Sequence, residues 1–235
     1  PGIERALTLR TVEDVERIVA HVKEKPLTAV VIGGGFIGVE IAENLVHKGI
    51  KTSVVEASDQ VLAPLDPEMA FLVATEMRSK GVDLHLGVSA SEITSEAVLL
   101  SDGTLLDAEL VILAIGVRPE IGLAQTAGLT VGSRKGIQVD EFNRTNDLDI
   151  YAIGDAAEKT DALDGSATLV PLANLANRHG RIVADHINGR IIRPVATIGT
   201  AIVKVFELTI ATTGWNERRL STSGRNFKVI HTHPS

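Results

Sequence analysis

Cysteine is absent from these 235 residues, so no disulfide, thiolate metal site or thiol nucleophile can be built from them. Aromatic residues amount to only 3%, no cluster of Lys and Arg occurs, and the formal net charge is −7. Stacking platforms and a basic track are both missing, which argues against a nucleic-acid partner. The longest apolar run, residues 110–117, is far too short to span a membrane, and the first five residues lack the character of a signal peptide. A soluble, cytoplasmic protein without membrane association is expected. The seven histidines have no metal-ligand spacing, and no metal is expected. What remains is a globular composition: 44% hydrophobic residues, in a length sufficient for one large domain or two ordinary ones.

Against this background one motif stands out. Residues 29–32 are apolar and β-favouring, and they run into Gly33-x-Gly35-x-x-Gly38. Residues 36–48 then have helical apolar spacing, with Gly49 as a stop, and residues 52–56 form a second strand ending in Glu56. Glycine is common, so the fingerprint alone is weak, but strand, glycines, helix and acid together make a complete βαβ unit. Gly33 is expected to make the tight turn, Gly35 to let the backbone approach a pyrophosphate, and Gly38 to pack helix against sheet. The phosphates would sit on the helix N-terminus, where free N–H groups and the macrodipole favour an anion, alongside Gly34, Phe36 and Ile37. Glu56 lies where a carboxylate accepts from an adenosine ribose 2′-OH and repels a 2′-phosphate, and residues 57–61 hold no Arg or Lys. NAD(H) is expected in preference to NADP(H).

Around the motif, residues 11–25 are predicted as a helix with Thr11 as N-cap, and its stripe of Val12, Val15, Ile18, Val19 and Val22 as core. Asp66-Pro67 opens another helix over residues 68–80, followed by a strand over 82–86. Residues 90–94, 97–101 and 104–106 suggest a small antiparallel excursion, and residues 110–115 a parallel strand buried on both faces. That strand delivers Ala114 and Gly116 to its C-terminal end, where ligands of open α/β sheets bind; standing alone, Gly116 and Pro119 would as readily merely punctuate a strand exit. Residues 149–155 are predicted to repeat the arrangement, a short strand bringing Gly154 and Asp155 to a sheet edge, although as a bare pattern Gly-Asp is more often a turn or N-cap. Residues 171–188 read as a long helix begun by Pro171, with Arg178 and Arg181 on a solvated face. The rest reads as strand, with residues 201–208 alternating around Lys204 and residues 227–231 a further short run.

The ordered set of motifs at residues 33–40, 114–119, 150–155, 171–181, 199–206 and 212–214 resembles the FAD-dependent pyridine nucleotide-disulfide oxidoreductases, in their coenzyme A-disulfide reductase, NADH oxidase and persulfide reductase branch. The resemblance implies an α/β fold: a Rossmann-like NAD(H) domain over about residues 11–120, and part of an FAD domain over residues 1–10 and 121–194. From residue 195 an α+β dimerisation domain would begin. It implies further that Gly154 and Asp155 face the FAD ribityl or pyrophosphate region, and that Pro171, Leu172 and Ala173 lie near the flavin. Glu40 and Gly116 would lie near the nicotinamide. The family's first βαβ unit and redox cysteine would precede Pro1, so these residues read as part of a longer homodimeric enzyme, catalytically silent and without FAD when alone. In that enzyme NADH would reduce FAD, and the electrons would pass to a disulfide, persulfide or oxygen. The alternatives are a stand-alone NAD(H)-binding module or a flavin reductase of another electron-transfer system.

Overall fold

Strand β1 (Ala6–Thr8) leads into helix α1 (Val12–Lys23), whose start is fixed by a reciprocal cap between Thr11 and Asp14, a device worth roughly 1 kcal/mol. The βαβ unit follows as β2 (Thr28–Ile32), α2 (Phe36–His47) and β3 (Lys51–Glu56), then α3 (Pro67–Ser79) and β4 (Asp83–Leu86). Strands β5 (Ala90–Ile93), β6 (Ala97–Leu100) and β7 (Leu105–Asp107) form an antiparallel sheet, and β8 (Leu110–Leu113) returns to the parallel one. The computed structural model describes residues 5–194 and 197–232.

The chain divides into two compact units, residues 1–116, 202–211 and 216–235 in one and residues 117–201 and 212–215 in the other. In the first, the parallel sheet has the order β1-β8-β2-β3-β4. Its interior strands are buried on both faces, hence their unbroken apolar runs. Val31, Val54 and Ile112 point into a core shared with α2 and α3, while Val30, Val55 and Val111 point into a second core with Val98, Leu100 and Leu106 of the antiparallel sheet. Helices thus gather on one face and the antiparallel excursion covers the other.

The α1 stripe does not form the core expected of it. Ile18 alone on the helix is buried; Val12 is 72% exposed, and Val15 and Val19 are also exposed. The reason is position, because α1 packs on β1, an edge strand, where a helix lacks a neighbour on one side.

In the second unit come α4 (Gly122–Thr126), β9 (Ile137–Gln138), a 3₁₀ turn (Gly154–Ala156), β10 (Ala157–Thr160), β11 (Ala167–Thr168) and α5 (Ala173–Ile187). The strand expected over residues 149–155 is not formed. Tyr151 makes a single bridge opposite Arg144, and without a second neighbouring strand the run cannot complete a ladder. Helix α5 matches its prediction, with Leu172 as N-cap and Arg178 and Arg181 exposed.

Strands β12 (Ala201–Val205) and β13 (Leu208–Thr212) form a hairpin whose Val203, Val205, Phe206 and Ile210 enter the helical core of the first unit. The alternation around Lys204 is therefore real, Ile202 and Lys204 out, Val203 and Val205 in. Residues 227–231, predicted as a further strand, are exposed and form no strand, and the chain instead forms a helix not foreseen, α6 (Glu217–Thr222), capped by Asn216. Histidine 233, close to His231 in sequence, lies outside the described residues.

Candidate functional site

Strands β2, β3 and β8 end at a cleft of about 490 Å³, lined by Gly33, Gly35, Glu56, Ala114 and Gly116 together with Val88, Ser89 and Ala90. Strand β2 continues to β3 on one side and pairs with β8 on the other, so the cleft lies where the strand order reverses, the usual ligand position of open parallel sheets.

The three fingerprint glycines have three different reasons to be glycine. Gly33 sits at φ +113°, and a Cβ there would lie 2.3 Å from the Ala114 carbonyl oxygen. A Cβ on Gly38 would lie 1.8 Å from the Gly33 carbonyl oxygen, so helix and loop close on each other only without one. Gly35 is different. Its φ is −76°, open to any residue, and a Cβ would meet nothing within 4 Å. Among the described residues nothing requires glycine there, and the space in front of it opens on the cleft.

Gly35 is also the N-cap of α2, and it supplies no side chain to the first-turn N–H groups of Phe36 and Ile37. Both side chains are half-buried against the helical core. An anion at this end would satisfy those donors and the macrodipole together. Glu40 is exposed one turn further along and does not line the cleft.

Glu56 closes the opposite wall. Its Oε2 accepts the Gly34 N–H at 2.6 Å, and its Oε1 accepts the Ser58 N–H and hydroxyl, each at 2.7 Å. Partial burial pushes this carboxyl's pKa up, but the hydrogen bonds from Ser58 and Gly34 outweigh it and hold the group below its ordinary value. Glu56 is therefore an oriented, ionised acceptor near neutrality. Ser58 escaped the sequence reading, although a hydroxyl two residues after an acid is a common local hydrogen-bonding pattern. Val88, Ser89 and Ala90 had no signal in the sequence; they arrive through backbone bonds from Gly87 to Ser58 and from Val88 to Glu56, 2.8 and 3.3 Å long.

In the second unit the structure brings the start of α5 beside Gly154. Gly154 has φ +73°, and its Cβ position lies 3.9 Å from Ala176 Cβ. Asp155 is exposed, as are Pro171 and Ala173; Leu172 is half-buried and lines a cavity of about 380 Å³ with Asn174 and Arg178. Leu172 gives the N-terminus of α5 no side-chain cap, and of its first-turn donors the Leu175 N–H is taken by Asn174 Oδ1 at 2.7 Å.

Residues 1–180 match the sequence model of the pyridine nucleotide-disulphide oxidoreductases. The chain belongs to this family. An NADH oxidase of Methanocaldococcus jannaschii is 35% identical over 97% of the chain and 51% of its own length. A reduced CoADR-RHD of Bacillus anthracis is 44% identical and superposes with a TM-score of 0.91, over 95% of this chain and 42% of that one. A NAD-dependent persulfide reductase from A. fulgidus is 36% identical, with a TM-score of 0.92 over 96% and 42%. The chain thus spans about half the length of the curated relatives it matches. Among the described residues of this family member, no three His, Asp or Glu side chains are grouped to hold a metal, and no helix is long and apolar enough to cross a membrane.

Proposed function

We propose that this chain is the NAD(H)-binding portion of a flavoprotein reductase in which NADH reduces FAD and the electrons pass to a small disulfide, persulfide or oxygen acceptor. The observation that carries this reading is Gly35, a glycine that no described residue requires, at the uncapped end of α2 and facing the cleft. A pyrophosphate there explains it, since a Cβ would stand between phosphate and backbone. Gly33, Gly34, Phe36, Ile37 and Gly38 shape the same loop, Glu56 takes the adenosine ribose, and Ala114 and Gly116 border the nicotinamide half. The relatives, an NADH oxidase and a NAD-dependent persulfide reductase, support the same assignment.

Bound NADH would supply a hydride to the flavin; the residues of this chain bind, orient and exclude water. Gly154 and Asp155, with Pro171, Leu172 and Ala173 at the start of α5, would hold part of FAD, and we place the whole protein in the cytoplasm as a homodimer. Titration of the purified 235-residue chain with NADH tests the proposal: saturable binding that Gly35→Val abolishes is expected, and no binding at millimolar NADH would overturn it. A second reading, a silent NAD(H)-binding module, is favoured for the chain alone by its lack of cysteine. The purified chain is then colourless, and stoichiometric flavin absorbance would contradict this.

A further inference from the structure

Resting on the NADH assignment, we infer that α6 is a clasp on the adenosine side of the site and that Arg218 is a positioning residue for dinucleotide affinity. The residues after Glu56 are held by their own hydrogen bonds, such as the Leu65 N–H to the Leu62 carbonyl at 2.8 Å, and also from outside. Leu62, almost fully buried, sits at φ +48°, a left-handed conformation unfavourable for a branched side chain, and in that conformation its N–H reaches the Gly34 carbonyl at 2.9 Å. Such a residue persists only where its surroundings over-determine it.

Part of that constraint is the helical core, in which Leu62 packs with Val61 and Leu65, and helix α6 adds to it through other residues of the same loop. Arg218 Nη2 donates to Gln60 Oε1 at 2.7 Å and lies 3.8 Å from Asp59 Oδ1. Asn216 Nδ2 donates to the Pro64 carbonyl at 3.2 Å, and the Glu217 N–H to Asp66 Oδ1 at 2.7 Å. Gln60 is itself buried and donates to the Leu65 carbonyl at 3.0 Å, closing the loop on itself. The loop is therefore gripped by α6 on one side. On the other it is joined to the glycine turn twice, by Leu62 to Gly34 and by Glu56 to both Gly34 and Ser58. A residue more than one hundred and fifty positions away in sequence thus bears on the two elements that would contact pyrophosphate and ribose. No Arg or Lys occurs between Glu56 and Asp66, and α6 brings the guanidinium to this loop.

Calorimetric titration of the full chain with NADH, NADPH and ADP-ribose tests the clasp. Arg218→Ala is expected to raise the NADH and ADP-ribose Kd about equally, roughly tenfold as for one lost charged hydrogen bond. Nicotinamide mononucleotide binding should stay unchanged, and Arg218→Lys should recover most of the loss. Because Arg218 acts through Gln60, Gln60→Leu should lower affinity similarly and the double variant no further. Amide exchange at Gly34 and Leu62 should quicken in Arg218→Ala, a readout independent of ligand. Wild-type Kd values in Arg218→Ala, or additive losses in the double variant, overturn the clasp; a loss confined to NADPH would make Arg218 a phosphate ligand and overturn it too. If Gly35→Val binds NADH normally, the site assignment itself fails; if only the Arg218 variants do, the clasp fails alone.

Discussion

Glu56 Oε2 accepts the Gly34 N–H at 2.6 Å, so the acid proposed for the ribose also braces the glycine turn proposed for the pyrophosphate. With two further bonds from Ser58, three of its roughly four lone-pair sites are occupied. A ribose diol asking for two acceptors would displace one of these donors, the Ser58 hydroxyl being the one free to rotate.

Glu56→Ala is accordingly expected to do more than remove a ribose contact. It should lower NADH affinity about tenfold or more, consistent with losing charged hydrogen bonds of about 1.5–3 kcal/mol, and the variant with an Arg added nearby should shift toward NADPH. Binding titrations with both nucleotides check this, and an unchanged NADH Kd in Glu56→Ala would remove the ribose role.

The same carboxylate predicts an acid profile. Its folded pKa is held below the ordinary value, so its contribution to stability is complete above about pH 4.3 and is lost as pH falls below that toward the folded value. Denaturant unfolding of wild type and Glu56→Gln between neutrality and acid should show the steeper decline in wild type, confined to that acid window. Parallel curves would contradict the assignment.

Glycines 35 and 38 should respond in opposite ways. Gly38→Ala drives a Cβ into the Gly33 carbonyl oxygen and should destabilise the fold by about 1–3 kcal/mol, as overpacking does. At Gly35 a Cβ would meet no described atom within 4 Å, so Gly35→Val should leave the unfolding midpoint near wild type while abolishing NADH binding. Thermal unfolding and titration of both variants separate the two effects.

Lys159 offers a test in the second unit. Its Nζ donates to Asn143 Oδ1 at 2.6 Å, and burial lowers its pKa to about 8, in a cavity of about 530 Å³ also lined by Asp140, Glu141, Asp161 and His179. Between about pH 8 and its unfolded value near 10.4, the unfolded chain holds the extra proton, so stability from this group rises with pH. Lys159→Met should abolish that rise, a difference of up to about 3 kcal/mol across the window. Urea unfolding at pH 7 and 10 measures it, and identical slopes for both proteins would refute it.

The βαβ unit was legible because its signals are local: apolar runs, glycine spacing, a helix stop and a terminal acid all fall within a few residues of one another. Helices α1, α3 and α5 were legible for the same reason, through caps and prolines. The stripe of α1 misled because a helical period shows which face is apolar and not whether a neighbour covers it. The segment 149–155 misled because a strand needs a partner that its own residues do not encode.

The sequence by itself determined the chain's α/β class, the glycine turn and the acid twenty-three residues after its first glycine. The motif spacing assigned the three glycines their expected roles, but only the tertiary structure supplied the atoms that forbid a Cβ at Gly33 and Gly38 and leave Gly35 open, because those depend on which distant carbonyl lies where a Cβ would go. It alone also brought Ser89, Ser58 and α6 to the same cleft or its supporting loop. These approaches are made by backbone hydrogen bonds and long-range packing, which leave no periodic trace along the chain.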